Sequence, residues 1–131
     1  MIVGTGIDIA EVDRVAASIE RFGTRFLERV FTAAEIRYCE SKANKAERYA
    51  GRFAAKEAAM KAIGTGWSRG VRWQDVEVTR APGGRPTVTF HGVAAEAFHN
   101  LGAVRAQLSI THTKELAMAQ VILEADEPAA R

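Results

Sequence analysis

Two carboxylates and a lysine make the strongest chemical statement in this chain. Glu57 and Lys61 stand four apart in Phe53-Ala-Ala-Lys-Glu-Ala-Ala-Met-Lys-Ala62, a run dominated by alanine. Four residues are just over one helical turn, so the two side chains are neighbours on one face, about 6 Å apart along the axis. Phe53, Met60 and Gly64 fall on or near that side. A carboxylate and an ammonium on a small apolar face form either a helix-stabilising ion pair, worth about 0.2–0.5 kcal/mol, or a site for a metal ion and a phosphate. Lys56 neighbours Glu57 but points about 100° away around the helix, and the sequence assigns it no catalytic part.

The second carboxylate is Asp8, in Ile2-Val-Gly-Thr-Gly-Ile-Asp-Ile9. These apolar and β-branched residues predict a strand. Gly4 and Gly6 inside it mark a bulge or a close backbone approach. Alternation puts Asp8 on the face opposite Ile7 and Ile9. It is either a cap for the helix that follows or a ligand for a hard divalent cation, which selects carboxylate oxygen. A third cluster, Ser109-Ile-Thr-His112, ends a late strand. It reads as a strand edge with an exposed histidine or as a phosphate contact at the mouth of a cleft. No nucleophile elbow of a serine hydrolase is present, and Cys/His metal spacing is absent.

The elements that must hold these residues follow from hydrophobic period. Glu11 to Phe22 predicts a helix stopped by Gly23, and Thr24 to Val30 a short helical continuation. Thr32 with Glu35 is a capping-box signature for a helix to about Ser41. After a polar break at 42–46, Lys45 to Ile63 is the longest helix, ended by Gly64-Thr65-Gly66. Asp75 to Arg80 and Thr87 to Phe90 alternate around Ala81-Pro-Gly-Gly-Arg-Pro86, which predicts a hairpin. A short helix at Val93 to Asn100 precedes strands at Val104 to Thr111 and Leu116 to Leu123, and the last eight residues read as a frayed tail. Helices first and strands later predict an α+β fold, an antiparallel sheet packed against a long central helix. Gly4-Thr-Gly6 lacks the third glycine of a dinucleotide fingerprint.

Length and composition suit one domain over residues 1–131. No apolar run is long enough for a transmembrane helix, and Met1-Ile-Val-Gly4 lacks a signal-peptide pattern. The single cysteine, Cys39, excludes an internal disulfide and suits a reducing cytoplasm. Net charge is only +2, but basic residues crowd the first half and Glu124, Asp126 and Glu127 make the end acidic. Arg14, Arg21, Arg25 and Arg29 recur at spacings of seven, four and four, which makes one basic stripe if the helical path crosses Gly23. Such a stripe suits an acidic partner. A nucleic-acid-binding module is the alternative. Against it, Phe22, Phe26 and Phe31 sit at core-type spacing and form no stacking platform.

Together, Gly4-Thr-Gly-Ile-Asp8-Ile9 with Arg14, Phe53-Ala-Ala-Lys-Glu57-Ala-Ala-Met-Lys61-Ala and Ser109-Ile-Thr-His112 resemble the small bacterial 4′-phosphopantetheinyl transferases, the holo-[acyl-carrier-protein] synthase family. The loop Gly64-Thr-Gly-Trp67 and the turn ending in Pro86 match as well, and the resemblance covers nearly the whole chain. It implies a 4′-phosphopantetheinyl transferase-like fold and transfer of the 4′-phosphopantetheine arm of coenzyme A to a serine of apo-acyl carrier protein, with adenosine 3′,5′-bisphosphate leaving. It implies Mg²⁺ held by Asp8 and Glu57 against the pyrophosphate, with Lys61 beside it. The serine proton then goes to a metal-bound water or to a carboxylate acting through it, and with no third motif carboxylate in the sequence the water is favoured. Lys42, Lys45, Arg52 and His112 become candidates for the 3′-phosphate, with Gly64 and Thr65 lining the nucleotide site through their backbone. Arg14, Arg21 and Arg25 become the dock for the acidic carrier protein. The resemblance further implies a cytoplasmic homotrimer with active sites between subunits, acting on neither nucleic acid nor membrane.

Overall fold

Alanine and glycine let a helix and a strand meet backbone to backbone at the centre of the molecule. The computed structural model describes residues 1–66 and 68–127. In it, helix α4 (Lys45–Ala62) runs for 18 residues and buries Ala50, Ala54, Ala55, Ala58, Ala59 and Ala62. Strand β1 (Ile2–Glu11) lies against it. A Cβ placed on Gly6 would overlap the Ala58 carbonyl oxygen and come within 2.8 Å of the Ala62 nitrogen, and one on Gly4 would overlap the Ala62 carbonyl oxygen. Both strand glycines therefore mark close approach, and the pairing of β1 with β5 also shifts register between Ile2 and Gly4, so both alternatives that strand glycines allow are present near Gly4.

The remaining elements assemble around this contact. Helices α1 (Val12–Phe22) and α2 (Thr24–Val30) are separated by Gly23, whose φ of 57° is left-handed. That turn breaks the helical path, so Arg14 and Arg21 belong to one helix and Arg25 and Arg29 to another. Helix α3 (Ala33–Glu40) opens on the expected capping box: Glu35 N–H donates to Thr32 Oγ1 at 3.2 Å and Thr32 N–H to Glu35 Oε1 at 2.8 Å. Strands β2 (Val76–Arg80) and β3 (Pro86–Phe90) form the predicted hairpin. Helix α5 (Gly92–Asn100) leads to β4 (Arg105–His112) and β5 (Leu116–Glu124).

The antiparallel sheet differs from the single one expected. It comprises a three-stranded sheet in the order β1-β5-β4 and the separate two-stranded hairpin β2-β3. One face of the larger sheet covers α4 with Ala117, Ala119, Val121 and Leu123 of β5 and Leu108 of β4, all buried. The last eight residues are not uniformly a tail. Glu124 ends β5, and buried Ala125 exchanges hydrogen bonds with Met1 at 2.8 Å and 3.0 Å. Residues 128–131 lie outside the described residues.

Cys39 and the Glu35–Lys56 pair are among the polar groups inside the core. Cys39 has no exposed surface, and burial pushes its thiol up to about 12, so it stays neutral at working pH. Glu35 and Lys56 are fully buried and form an ion pair at 2.7 Å. Burial pulls the Lys56 pKa down, and the Glu35 carboxylate opposes that pull.

Replacement of the two close-packed glycines separates steric from intrinsic effects. Gly6→Ala should cost about 1–3 kcal/mol or more in chemical denaturation, because rigid backbone must move to admit the methyl group. Gly51→Ala should stay within about 1 kcal/mol of wild type, since its Cβ meets only the Ile110 methyl at 3.2 Å and helix propensity favours alanine. Equal effects of the two substitutions would refute the backbone-contact account.

Candidate functional site

The pleat of β1 decides what Asp8 does. Gly6, Asp8 and Ala10 face α4, whereas Ile7 and Ile9 point outward and are 53% and 56% exposed. The apolar residues of this strand thus lie on the solvent side, and the aspartate lies on the side of the core. The N-cap of α1 is Glu11, and it makes no side-chain capping bond. Asp8 instead receives Lys61: Nζ lies 3.0 Å from Asp8 Oδ1 and 3.0 Å from the Ile7 carbonyl oxygen. The close approach of β1 and α4 brings this lysine within reach of the strand.

Glu57 lies one turn earlier on the same side of α4 and is half-buried. It lines a cleft of about 320 Å³ with Ala10, Arg14, Phe26 and Phe53. Ala10 shares the inner face of β1 with Asp8, so both carboxylates border one seam. The donor set is all oxygen, with a half-open cleft beside it. Among the described residues, no group of three or more His, Cys, Asp or Glu side chains could hold a metal. A seam with two carboxylates suits Mg²⁺, which takes one or two carboxylates and completes its shell with water and phosphate oxygens.

A second cleft, of about 160 Å³, is strongly basic. Tyr38, Arg48, Arg52, Arg80 and His112 line it, together with Glu47 and the hairpin residues Gly84 and Pro86. The Tyr38 ring is the hub. The Arg52 guanidinium carbon lies 3.8 Å from its centroid, that of Arg80 5.1 Å, and Lys42 Nζ 5.2 Å. Arg48 donates to the Tyr38 hydroxyl at 3.4 Å. Arg52 is only 5% exposed, and burial lowers its pKa. Its Nε has no hydrogen-bond partner among the described residues. A buried guanidinium with an unused donor is costly unless an anion completes it. The planar fork of arginine is matched to phosphate.

The other candidates divide. His112 belongs to the basic cleft, where its Nδ1 lies 3.1 Å from Glu47 Oε2, within ion-pair range but not aligned as a hydrogen bond. Lys45 does not: its ammonium pairs with Glu40 at 3.3 Å. Gly64, with φ of 80°, and buried Thr65 turn the chain at the C-terminal end of α4. Thr65 faces a third cleft, with Arg69 and Val93, apart from Arg52. Trp67 lies outside the described residues. Arg14 is exposed on the rim of the Glu57 cleft and sits 3.7 Å from Glu11. Arg21 rests on the Phe22 ring at 5.1 Å, and Arg25 is exposed. Arg48, Arg80 and Tyr38 escaped the sequence reading. Arg48 precedes Arg52 by one helical turn, a spacing that signals a shared face. Tyr38 and Arg80 come from distant segments and carry no local signal.

Geometry also separates the two charged regions. Arg52 and Glu57 are five residues apart on one helix, hence about 140° around its axis. One copy of the chain turns its carboxylate seam and its basic cleft to different sides.

Comparison with known proteins follows the same lines. The family model of the 4′-phosphopantetheinyl transferase superfamily matches residues 4–121. A holo-[acyl-carrier-protein] synthase of Koribacter versatilis is 66% identical over 124 residues, covering 95% of this chain and 99% of the relative. The crystal structure of the Neisseria meningitidis holo-[acyl-carrier-protein] synthase superposes with a TM-score of 0.84 at 30% identity, over 95% of this chain and 99% of that one. The Helicobacter pylori holo-[acyl-carrier-protein] synthase, solved in complex with coenzyme A, gives 0.80 at 30% identity, over 92% and 99%.

The unsatisfied Arg52 predicts anion-linked stability. Inorganic phosphate at a hundredfold excess over its dissociation constant should stabilise the wild-type protein by about 2.7 kcal/mol. The matching rise in melting temperature should vanish in Arg52→Met. An equal rise in both proteins would place the anion elsewhere.

Proposed function

The chain belongs to the 4′-phosphopantetheinyl transferase superfamily, and we propose that it transfers the 4′-phosphopantetheine arm of coenzyme A to a serine of apo-acyl carrier protein. Adenosine 3′,5′-bisphosphate is the leaving product. The observation that carries this reading is the β1–α4 seam, where Lys61 pairs with Asp8 and Glu57, one turn earlier on the same side of α4, lines an open cleft. Asp8 and Glu57 are the residues that would hold Mg²⁺, which when bound neutralises pyrophosphate charge.

Transfer of this kind needs positioning and charge compensation more than covalent help. Lys61 supplies a point charge to the departing phosphate, held in place by the Ile7 carbonyl and Asp8. The serine proton leaves through a water, with the seam carboxylates behind it. Arg52, Lys42 and His112 bind the 3′-phosphate, joined by Arg48 and Arg80. Lys45 stays with Glu40 and steers at longer range. The N–H groups of Gly64 and Thr65 close the end of α4 on the Lys61 and Met60 carbonyls, so their part toward the nucleotide is to shape the loop that would line it.

One coenzyme A must touch both the seam and the basic cleft, yet one copy faces them apart. The outer sheet face explains how both are reached. Ile7, Ile9, Leu116 and Met118 form an exposed apolar patch, 53%, 56%, 45% and 39% exposed, with Ile9 directly paired to Met118 and Glu11 to Leu116. Patches of this kind mark interfaces. Three copies joined through this face would let the seam of one reach the basic cleft of its neighbour. Arg14, Arg21 and Arg25 dock the acidic carrier protein around the Glu57 cleft. A buried, reduced Cys39 suits work in the cytoplasm. No helix among the described residues is long and apolar enough to cross a membrane.

Mass spectrometry of apo-carrier protein incubated with coenzyme A and Mg²⁺ should show one added phosphopantetheine, lost on chelation. Asp8→Ala and Glu57→Ala should each lower kcat/KM by about 10²–10³-fold with little change in melting temperature. Full activity in either would end the metal assignment. Mixing Asp8→Ala with Arg52→Ala, each inactive alone, should restore about a quarter of the sites after subunit exchange, because each shared site then draws on two different chains. No recovery would place each site within one subunit.

A further inference from the structure

Lys56 and Glu35 are the most deeply buried ion pair among the described residues, and nothing in the proposed reaction touches them. Their position is what matters. Lys56 precedes Glu57, so its side chain leaves α4 on the flank next to the seam. There it meets Glu35 at 2.7 Å, with neither side chain exposed. Glu35 Oε1 also accepts the Thr32 N–H at 2.8 Å, and Oε2 accepts the Val78 N–H at 2.7 Å. One carboxylate therefore gathers three donors, from the start of α3, from α4 and from β2. The Phe31 ring lies 5.8 Å from the ammonium.

The surface of α4 explains why such a tie is needed. Its faces toward the sheet are alanine, and the opposing strand offers glycine. Small residues permit close packing but leave shallow ridges and grooves, so side-chain interlock does little to fix the helix's rotation. Two lysines do that work from either side of Glu57. Lys61 holds the helix to β1 through Asp8 and Ile7. Lys56, about 140° from Lys61 around the axis, holds it to α3 and β2. We propose that the Glu35–Lys56 pair is a positioning device, fixing the rotation of α4 so that the Glu57 carboxylate faces the Asp8 seam. The proposal rests on the reading of Glu57 as a metal-holding carboxylate.

Direct binding of Mn²⁺, followed by water proton relaxation, reads the seam without turnover. Lys56→Met keeps the bulk of the side chain and removes the tie. Glu35→Gln keeps an acceptor and removes the charge, and it serves if Lys56→Met does not fold. The folded variant should bind Mn²⁺ about 10–100-fold more weakly. Its kcat should fall by a similar factor, while KM for the carrier protein, set by Arg14, Arg21 and Arg25 on helices other than α4, holds. Wild-type Mn²⁺ affinity in a folded variant would overturn the proposal, as would equal losses in kcat and in carrier KM. A wild-type protein that binds no Mn²⁺ would overturn it together with the metal assignment. A wild-type protein that binds Mn²⁺ but transfers nothing would count against the proposed reaction alone, and the Mn²⁺ affinity of the variants would still decide the positioning role.

Discussion

The contact of β1 with α4 at Gly4 and Gly6 is the constraint on which the rest of the molecule depends. No side chain separates the two backbones there. The approach requires glycine on the strand and small residues on the helix. It also brings the end of α4 close enough for Lys61 to reach a strand carbonyl and Asp8. A wider spacing, the usual outcome when larger side chains interdigitate, would part the carboxylate from its lysine. The site is thus a by-product of a packing solution, and the same small residues that build the core build the seam.

The protein treats its buried charges in two different ways. Glu35 is saturated: both carboxylate oxygens carry donors, and its partner lysine is enclosed with it. Arg52 is stacked on Tyr38 but keeps an unused buried donor. The first arrangement closes a network and makes it rigid. The second leaves a cationic hollow with an unused buried donor. The two groups lie on neighbouring helices, α3 and α4, and differ in whether the fold completes their hydrogen bonds.

An exposed apolar face follows from the same strand. Because Gly6 and Asp8 must face α4, the intervening isoleucines have to face outward. A strand with period-two geometry cannot bury both sets against one helix. The apolar outer face is therefore the complement of the site's inner face. In the proposed reading, further copies of the chain would cover it and bring together charged regions that a single copy holds on different sides of α4.

Much of this was legible in the chain itself. The capping box at Thr32 and Glu35, the hairpin around Ala81–Pro86, the long alanine helix and the shared face of Glu57 and Lys61 were all readable, because each depends on spacing along a few turns or one pleat. Family membership was readable for the same reason, since short motifs in fixed order carry it. What the sequence left undecided was every partnership across distance. It offered Asp8 as cap or ligand, and the fold gave it Lys61. It showed Glu35 as a local cap, and the fold added Lys56 and the Val78 amide. It set Lys45 beside Arg52 as a phosphate candidate, and the fold gave Lys45 to Glu40 and brought Tyr38 and Arg80 to Arg52. Spacing is encoded locally, whereas burial and pairing arise only when separate segments exclude water from one another; the tertiary structure alone decides which charges meet.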